Sequence, residues 1–357
     1  MFRKSLSLIL ILVFTLSVLF AQSLDQKIKQ AYQLYNSQNY NYYRKAVSIF
    51  EQAIKVEPQN PEYYLASGRI LIELGELEKG KKNLEKALSL NKGKIGWIEA
   101  WSRVYLGEYY EQKSLWEKAK KEYEIAYNLN ATKFSTAFAK GKSILMGWQR
   151  RETPHFIFFY PPGGVASKEI NSIVNTYEKA FKNITGFLKV NLKGKLRYYL
   201  FPSRRDGNEI LGVELGYSVP PLGEAYVIYG VEEKATAGHE MTHLISYHIA
   251  PTITMDLILR EGLAEFLNQE GEDFAKEVRA YKEMGEFVPL VELNASFRER
   301  DTQLAYNESA AFVEFLIKRY GIEKFKKLWS YEDALEGYKK VYQKTFKELA
   351  AEWEKSL

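Results

Sequence analysis

Cysteine is absent from the 357 residues. That excludes disulfide frameworks, thiol nucleophiles, iron–sulfur clusters, cysteine-ligated zinc and lipid modification of an N-terminal cysteine, and leaves His, Asp and Glu as the strong metal ligands. Histidine is scarce as well, with four in the chain. Proline is thin in the first part, where only Pro58 and Pro61 fall between Leu24 and Trp148. A strong net charge is also lacking: the formal +5 divides into +2 for residues 1–23, +7 for 24–150 and −4 for 151–357. The positive excess therefore belongs to one half, and it is no footprint for nucleic acid. A chain of this length that is 46% hydrophobic exceeds what one core commonly accommodates, which predicts two domains besides any targeting segment.

What is present begins with an address. Arg3 and Lys4 precede an apolar run from Leu6 to Phe20, which closes on Ala21, Gln22 and Ser23, the three-part layout of a secretory signal peptide over residues 1–23. The run is about fifteen residues, short of the ~20 that span a bilayer. Cleavage after Ala21 or Ser23 is expected, with an uncleaved membrane anchor as the alternative. No second stretch of spanning length follows, so the mature chain is expected to be soluble and exported to a periplasmic, extracellular or cell-surface location.

From Leu24 to about Trp148 apolar residues recur at three- and four-residue spacing, an all-helical pattern. A small–large–small triplet occurs three times: Ala46, Phe50 and Ala53; Gly80, Leu84 and Ala87; Ala119, Tyr123 and Ala126. Upstream of the last two copies lie Tyr64, Ser67, Gly68 and Leu71, then Leu106, Gly107 and Tyr110. Residues 24–150 resemble an array of three tetratricopeptide repeats, with Thr132 to Trp148 as the capping helix. The resemblance implies a concave groove for a substrate or partner protein, or a scaffold docked on the second half.

After Arg151 strand-like runs appear at His155–Tyr160, Leu196–Phe201 and Ala225–Tyr229, with an amphipathic helix from about Ser167 to Leu188 and helical pattern again beyond Val231. Residues 151–357 therefore read as an α+β domain joined near Arg150–Glu152 to the all-α repeats. Its chemistry is concentrated in His239-Glu240-Met241-Thr242-His243. One helical turn separates the two imidazoles, which lets both reach a single cation, while Glu240 projects beside it. The third ligand must come from elsewhere. Ser246 and Ile249 occupy the places where the metzincin pattern needs Gly and His. His248 points to another helix face and His155 lies on a distant strand, so both read as packing or surface histidines. A carboxylate fits better, and Leu259-Arg260-Glu261-Gly262-Leu263-Ala264-Glu265-Phe266 opens a second helix after a turn at Pro251.

The pair of motifs resembles the gluzincin branch of the zinc metallopeptidases, in particular peptidase MA-like domains, which often accompany tetratricopeptide repeats. The gap between the motifs is one residue shorter than in the aminopeptidase relatives. The resemblance implies one Zn²⁺ per chain, with Glu261 as third ligand beside His239 and His243, and Glu265 accepting the spare N–H of a ligating histidine. It further implies that Tyr306, in Ala305-Tyr306-Asn307-Glu308-Ser309, stabilises an oxyanion, and that Gly223 and Ala225, in Gly223–Val227, belong to an edge strand that binds substrate by strand addition.

Peptide-bond hydrolysis is the activity so implied, with Glu240 as general base for a metal-activated water. The alternative is an exported, non-catalytic repeat scaffold whose metal domain is structural or inactive. An intact Glu240 weighs against the alternative, because a structural zinc needs no base.

Overall fold

The computed structural model describes residues 24–357 except 38, 213, 251 and 269–270, so the signal segment and the turn at Pro251 lie outside the described residues. The chain divides between Met146 and Gly147 into two units.

In the first unit a helix over residues 24–36 (α1) is followed by α2 (Tyr40–Val56), α3 (Pro61–Glu73), α4 (Leu77–Asn91), α5 (Gly96–Gln112), α6 (Trp116–Leu129) and α7 (Lys133–Met146). Side-chain caps start two of them: Asn39 accepts the N–H of Asn41 and Asn60 that of Glu62, with Pro61 in the first turn, where its missing N–H costs nothing. The helices pair as α1/α2, α3/α4 and α5/α6, and α7 closes the array. All nine residues of the small–large–small triplets are buried on α2, α4 and α6. Their alternation has a direct steric cause. A Cβ on Gly107 would lie 2.5 Å from the Tyr123 ring, and one on Gly68 would lie 2.9 Å from Leu84. The large residues of α4 and α6 thus fill the space left by a glycine on α3 and α5.

The second unit holds a five-stranded sheet of β1 (Gln149–Glu152), β2 (Phe156–Tyr160), β3 (Leu196–Phe201), β4 (Tyr217–Val219) and β5 (Glu224–Ile228), in the order β1-β2-β3-β5-β4. β2, β3 and β5 are parallel neighbours, and β1 and β4 run antiparallel at the two edges. The central strands Phe-Ile-Phe-Phe-Tyr, Leu-Arg-Tyr-Tyr-Leu-Phe and Glu-Ala-Tyr-Val-Ile are buried throughout, as parallel strands covered on both faces must be. The crossover from β2 to β3 is α8 (Val165–Leu188), whose Tyr177 packs edge-on against Phe158 and Tyr198. After α9 (Arg204–Leu211) and β5 the chain is helical: α10 (Gly238–Ser246), α11 (Leu257–Asn268), α12 (Phe274–Met284), α13 (Leu290–Ser296), α14 (Thr302–Tyr320), α15 (Ile322–Trp329), α16 (Ala334–Tyr342) and α17 (Phe346–Ser356).

Three expectations change. Arg150–Glu152 do not form a junction: they pair with Phe159, Phe158 and Ile157 as part of β1, which brings the boundary back to Met146. Trp148, expected in the capping helix, packs instead on Phe201 at 4.9 Å. Nor is Gly223–Val227 an edge. Ala225 is paired with Tyr198 on one side and Ser218 on the other, and the Gly223 carbonyl accepts the N–H of Arg197. The edge on that side belongs to β4, a three-residue strand too short to show alternation.

Buried within α14, Glu308 accepts the Val288 N–H at 3.0 Å through Oε1, while Oε2 has no hydrogen-bond partner among the described residues. Burial, only partly offset by that N–H, pushes its carboxyl up to about 8.

Two stability experiments follow from these packings. Gly107→Ala should destabilise the first unit by about 1–3 kcal/mol in urea unfolding, because the buried Tyr123 cannot retreat. Gly186→Ala, on α8 with nothing within 4 Å of its Cβ, should instead stabilise by about 0.5–1 kcal/mol. Equal effects would show that backbone propensity, not the ring contact, governs Gly107. For Glu308, the folded pKa lies above the ordinary 4.5. Both states are protonated below that value, and the unfolded chain alone ionises as pH rises towards about 8, so wild-type stability falls across this window. Glu308→Gln should therefore gain stability over wild type from pH ~4.5 to ~8 and level off above. A pH-independent gain in urea midpoints would remove Glu308 as the titrating group.

Candidate metal centre

α10 presents His239, Glu240 and His243, α11 presents Glu261 and Glu265, and α14 presents Tyr306. Two close backbone approaches bring these helices together. A Cβ on Gly238 would lie 2.6 Å from Cα of Asn268, which clamps the start of α10 against the end of α11. The Asn268 amide oxygen accepts the His239 N–H at 3.1 Å in the same place. A Cβ on Gly262 would lie 2.5 Å from the Ser309 carbonyl oxygen. The glycine after Glu261 is therefore what lets α11 touch the small-residue face Ser309-Ala310-Ala311 of α14. The link from α10 to α11 is pinned by the Thr254 N–H donating to the Trp329 carbonyl at 2.7 Å and by Asp256 accepting the Leu259 N–H at 2.9 Å.

The result is a compact donor set. Oε2 of Glu261 lies 3.3 Å from Nε2 of His239 and 3.2 Å from Nε2 of His243, and one donor atom from each residue falls within 4.8 Å of the others. Ligands ~2.0–2.2 Å from a tetrahedral zinc stand roughly 3.3–3.5 Å apart. The spacings to Glu261 match that edge, so these residues fit the ion that the sequence implies. On its other nitrogen, Nδ1, His239 faces Oε2 of Glu265 at 3.4 Å, and that carboxylate also lies 3.5 Å from the Asn268 amide nitrogen. The Tyr306 ring stacks on His239, with centroids 5.5 Å apart and planes 13° apart, and meets Phe297 at 6.0 Å.

Glu240 and Glu265 are buried and Glu261 is mostly so, and among the described residues Glu240 and Glu261 have no Lys or Arg ion pair. Burial on its own would lower the pKa of His239, but the carboxylates of Glu261, Glu265 and Glu240 outweigh it and push the ring up to about 10. Burial tends to raise Glu261, yet His243 and His239 hold it well below the usual carboxylate range. Tyr306 is pushed up by burial, with Glu261, Glu240 and Glu265 adding to the effect, and so stays a hydroxyl donor. Carboxylates and imidazoles are also the donor types that hold a divalent cation, which would have to displace that proton.

His155 and His248 stay outside this cluster. His155 pairs with Glu178 at 2.6 Å and stacks on Phe181, and burial lowers His248, which packs edge-on against Tyr247. Gly223 and Ala225 contribute backbone to the sheet interior and offer no free edge to a substrate. Asn268 was missed at the sequence level; an amide six residues past Gly262 carries no local signal.

A tetratricopeptide-repeat family model matches residues 61–94. This stretch covers α3 and α4, the middle helix pair, and the helix pairs on either side share its glycine–large-residue contact or its buried triplet. Repeats of this kind are protein–protein interaction scaffolds, so protein partners are indicated for the first unit. A search of curated proteins finds no match for the chain. Among the described residues no helix is long and apolar enough to cross a membrane.

Proposed function

We propose that the second unit is a zinc-dependent peptidase of an exported protein, and that the tetratricopeptide repeats bind its substrate or a partner protein. The observation that carries this reading is the Glu261 carboxylate oxygen standing 3.2–3.3 Å from both imidazole Nε2 atoms, with Glu240 beside His239 on α10. His239, His243 and Glu261 would hold the Zn²⁺, which when bound acidifies a water and polarises a carbonyl. Glu240 accepts the proton of the attacking water and returns it to the leaving amine. Glu265 keeps the His239 ring oriented through Nδ1. The Tyr306 hydroxyl, its ring fixed against His239, donates to the oxygen of the scissile carbonyl as negative charge develops there.

The purified chain should contain about one zinc per molecule, and Glu240→Gln should keep it while losing about 10²–10⁴-fold in casein hydrolysis. Full activity in Glu240→Gln would remove the general-base role. Bound zinc without cleavage by the wild type would favour the scaffold reading, which the tetratricopeptide match supports independently. Roles within the ligand set are separable by metal titration. Glu261→Ala should abolish stoichiometric zinc, whereas Glu265→Ala should weaken it by about 10–100-fold, and the reverse ranking would exchange the two residues.

A further inference from the structure

Ala237, the residue before α10, makes no side-chain capping bond, although a helix leaves its first N–H groups without partners of its own. His239 is the second residue of α10, so one residue carries both such an N–H and an imidazole of the donor set. The acceptor comes from α11. Asn268, the last residue of that helix, accepts the His239 N–H through Oδ1 at 3.1 Å, as a capping asparagine does within its own helix. The fit is close, because a Cβ on Gly238 would lie 3.0 Å from that same oxygen.

The other end of the same amide faces the acid that backs the same imidazole. Asn268 follows Glu261 by seven residues and Glu265 by three, spacings that put all three on one face of α11. Nδ2 of Asn268 lies 3.5 Å from Oε2 of Glu265, and that oxygen lies 3.4 Å from Nδ1 of His239. Oxygen towards the N–H and nitrogen towards the carboxylate is the orientation of the amide that suits both neighbours. The contacts close a ring that runs from the His239 backbone through Asn268 and Glu265 to the His239 imidazole. Asn268 thus reaches the backbone of His239 directly and its ring through Glu265. A carboxylate that orients an imidazole must itself be held, since an acid free to swing fixes no ring.

We propose that Asn268 is a positioning residue of the metal centre, tying the backbone of His239 to the carboxylate that orients its ring, so that Nε2 of His239 is held towards Glu261. This inference rests on the reading of His239, His243 and Glu261 as a zinc site.

The test is a double-mutant cycle on the full chain, read by Zn²⁺ affinity in competition with a chromophoric chelator. Asn268→Ala should weaken zinc about tenfold, the low end of what the outer partners of metal ligands contribute. In a Glu265→Ala background the same change should cost no more than about twofold, because the carboxylate through which it acts is gone. Co²⁺ in place of Zn²⁺ gives a second readout. The visible absorption bands of Asn268→Ala should differ in position and intensity from those of wild type, a change that a loss of stability alone does not produce. Should the alanine variant not fold, Asn268→Ser takes its place in the cycle, its single short hydroxyl being unable to span both partners. Unchanged zinc affinity and Co²⁺ bands in Asn268→Ala, with only a lower urea midpoint, would make Asn268 a helix cap and overturn the proposal. An equal loss of affinity in both backgrounds would overturn it too, by removing the link through Glu265. Failure of the wild type itself to bind zinc would instead overturn the zinc reading.

Discussion

Glu240, Glu261 and Glu265 stand around His239 and His243 in a largely buried cluster. Gathering like charges out of water is costly unless a cation or a proton joins them. The protein holds this cluster together with close backbone contacts. Gly238 lies against Asn268 and Gly262 against Ser309 so closely that no side chain fits between them, and the donor atoms are held together by helices that have no room to separate. The upward shift of His239 and the downward shift of Glu261 are two faces of one arrangement. In it the imidazoles serve as partners for a carboxylate.

The first unit solves a different problem with the same device. Each helix pair must bury a stripe that it cannot bury alone, and Gly107 against Tyr123, like Gly68 against Leu84, lets the paired helices approach. Between the first helices Arg69 sits among the rings of Tyr35, Trp101 and Tyr105. Beside it Glu73 accepts from the Tyr35 and Tyr105 hydroxyls, so both charges are fixed in direction.

Much of this was legible in the sequence because it is local. The triplets report the 3.6-residue period, β2, β3 and β5 report dense aromatic and β-branched runs, and His239 and His243 share a face by spacing alone. What was not legible is non-local. β1 and β4 hold four and three residues, too few to carry a pattern, and without β4 the strand at Glu224–Ile228 looks like an edge. The unit boundary moved for a related reason, since Gln149–Glu152 gain their identity only from pairing with β2.

By itself, the sequence determined the helical repeats, the two imidazoles on one helix face and, through the absence of cysteine, a ligand set restricted to histidine and carboxylate. Only the tertiary structure decided that Glu261 lies 3.2–3.3 Å from both imidazoles. It also decided that Glu265 backs His239, that Ala225 is interior, and that Arg69 sits in a box built from three helices. Helical spacing is set by the backbone of one segment, whereas each of these contacts depends on where a second or third segment comes to rest, and packing of the whole core chooses that.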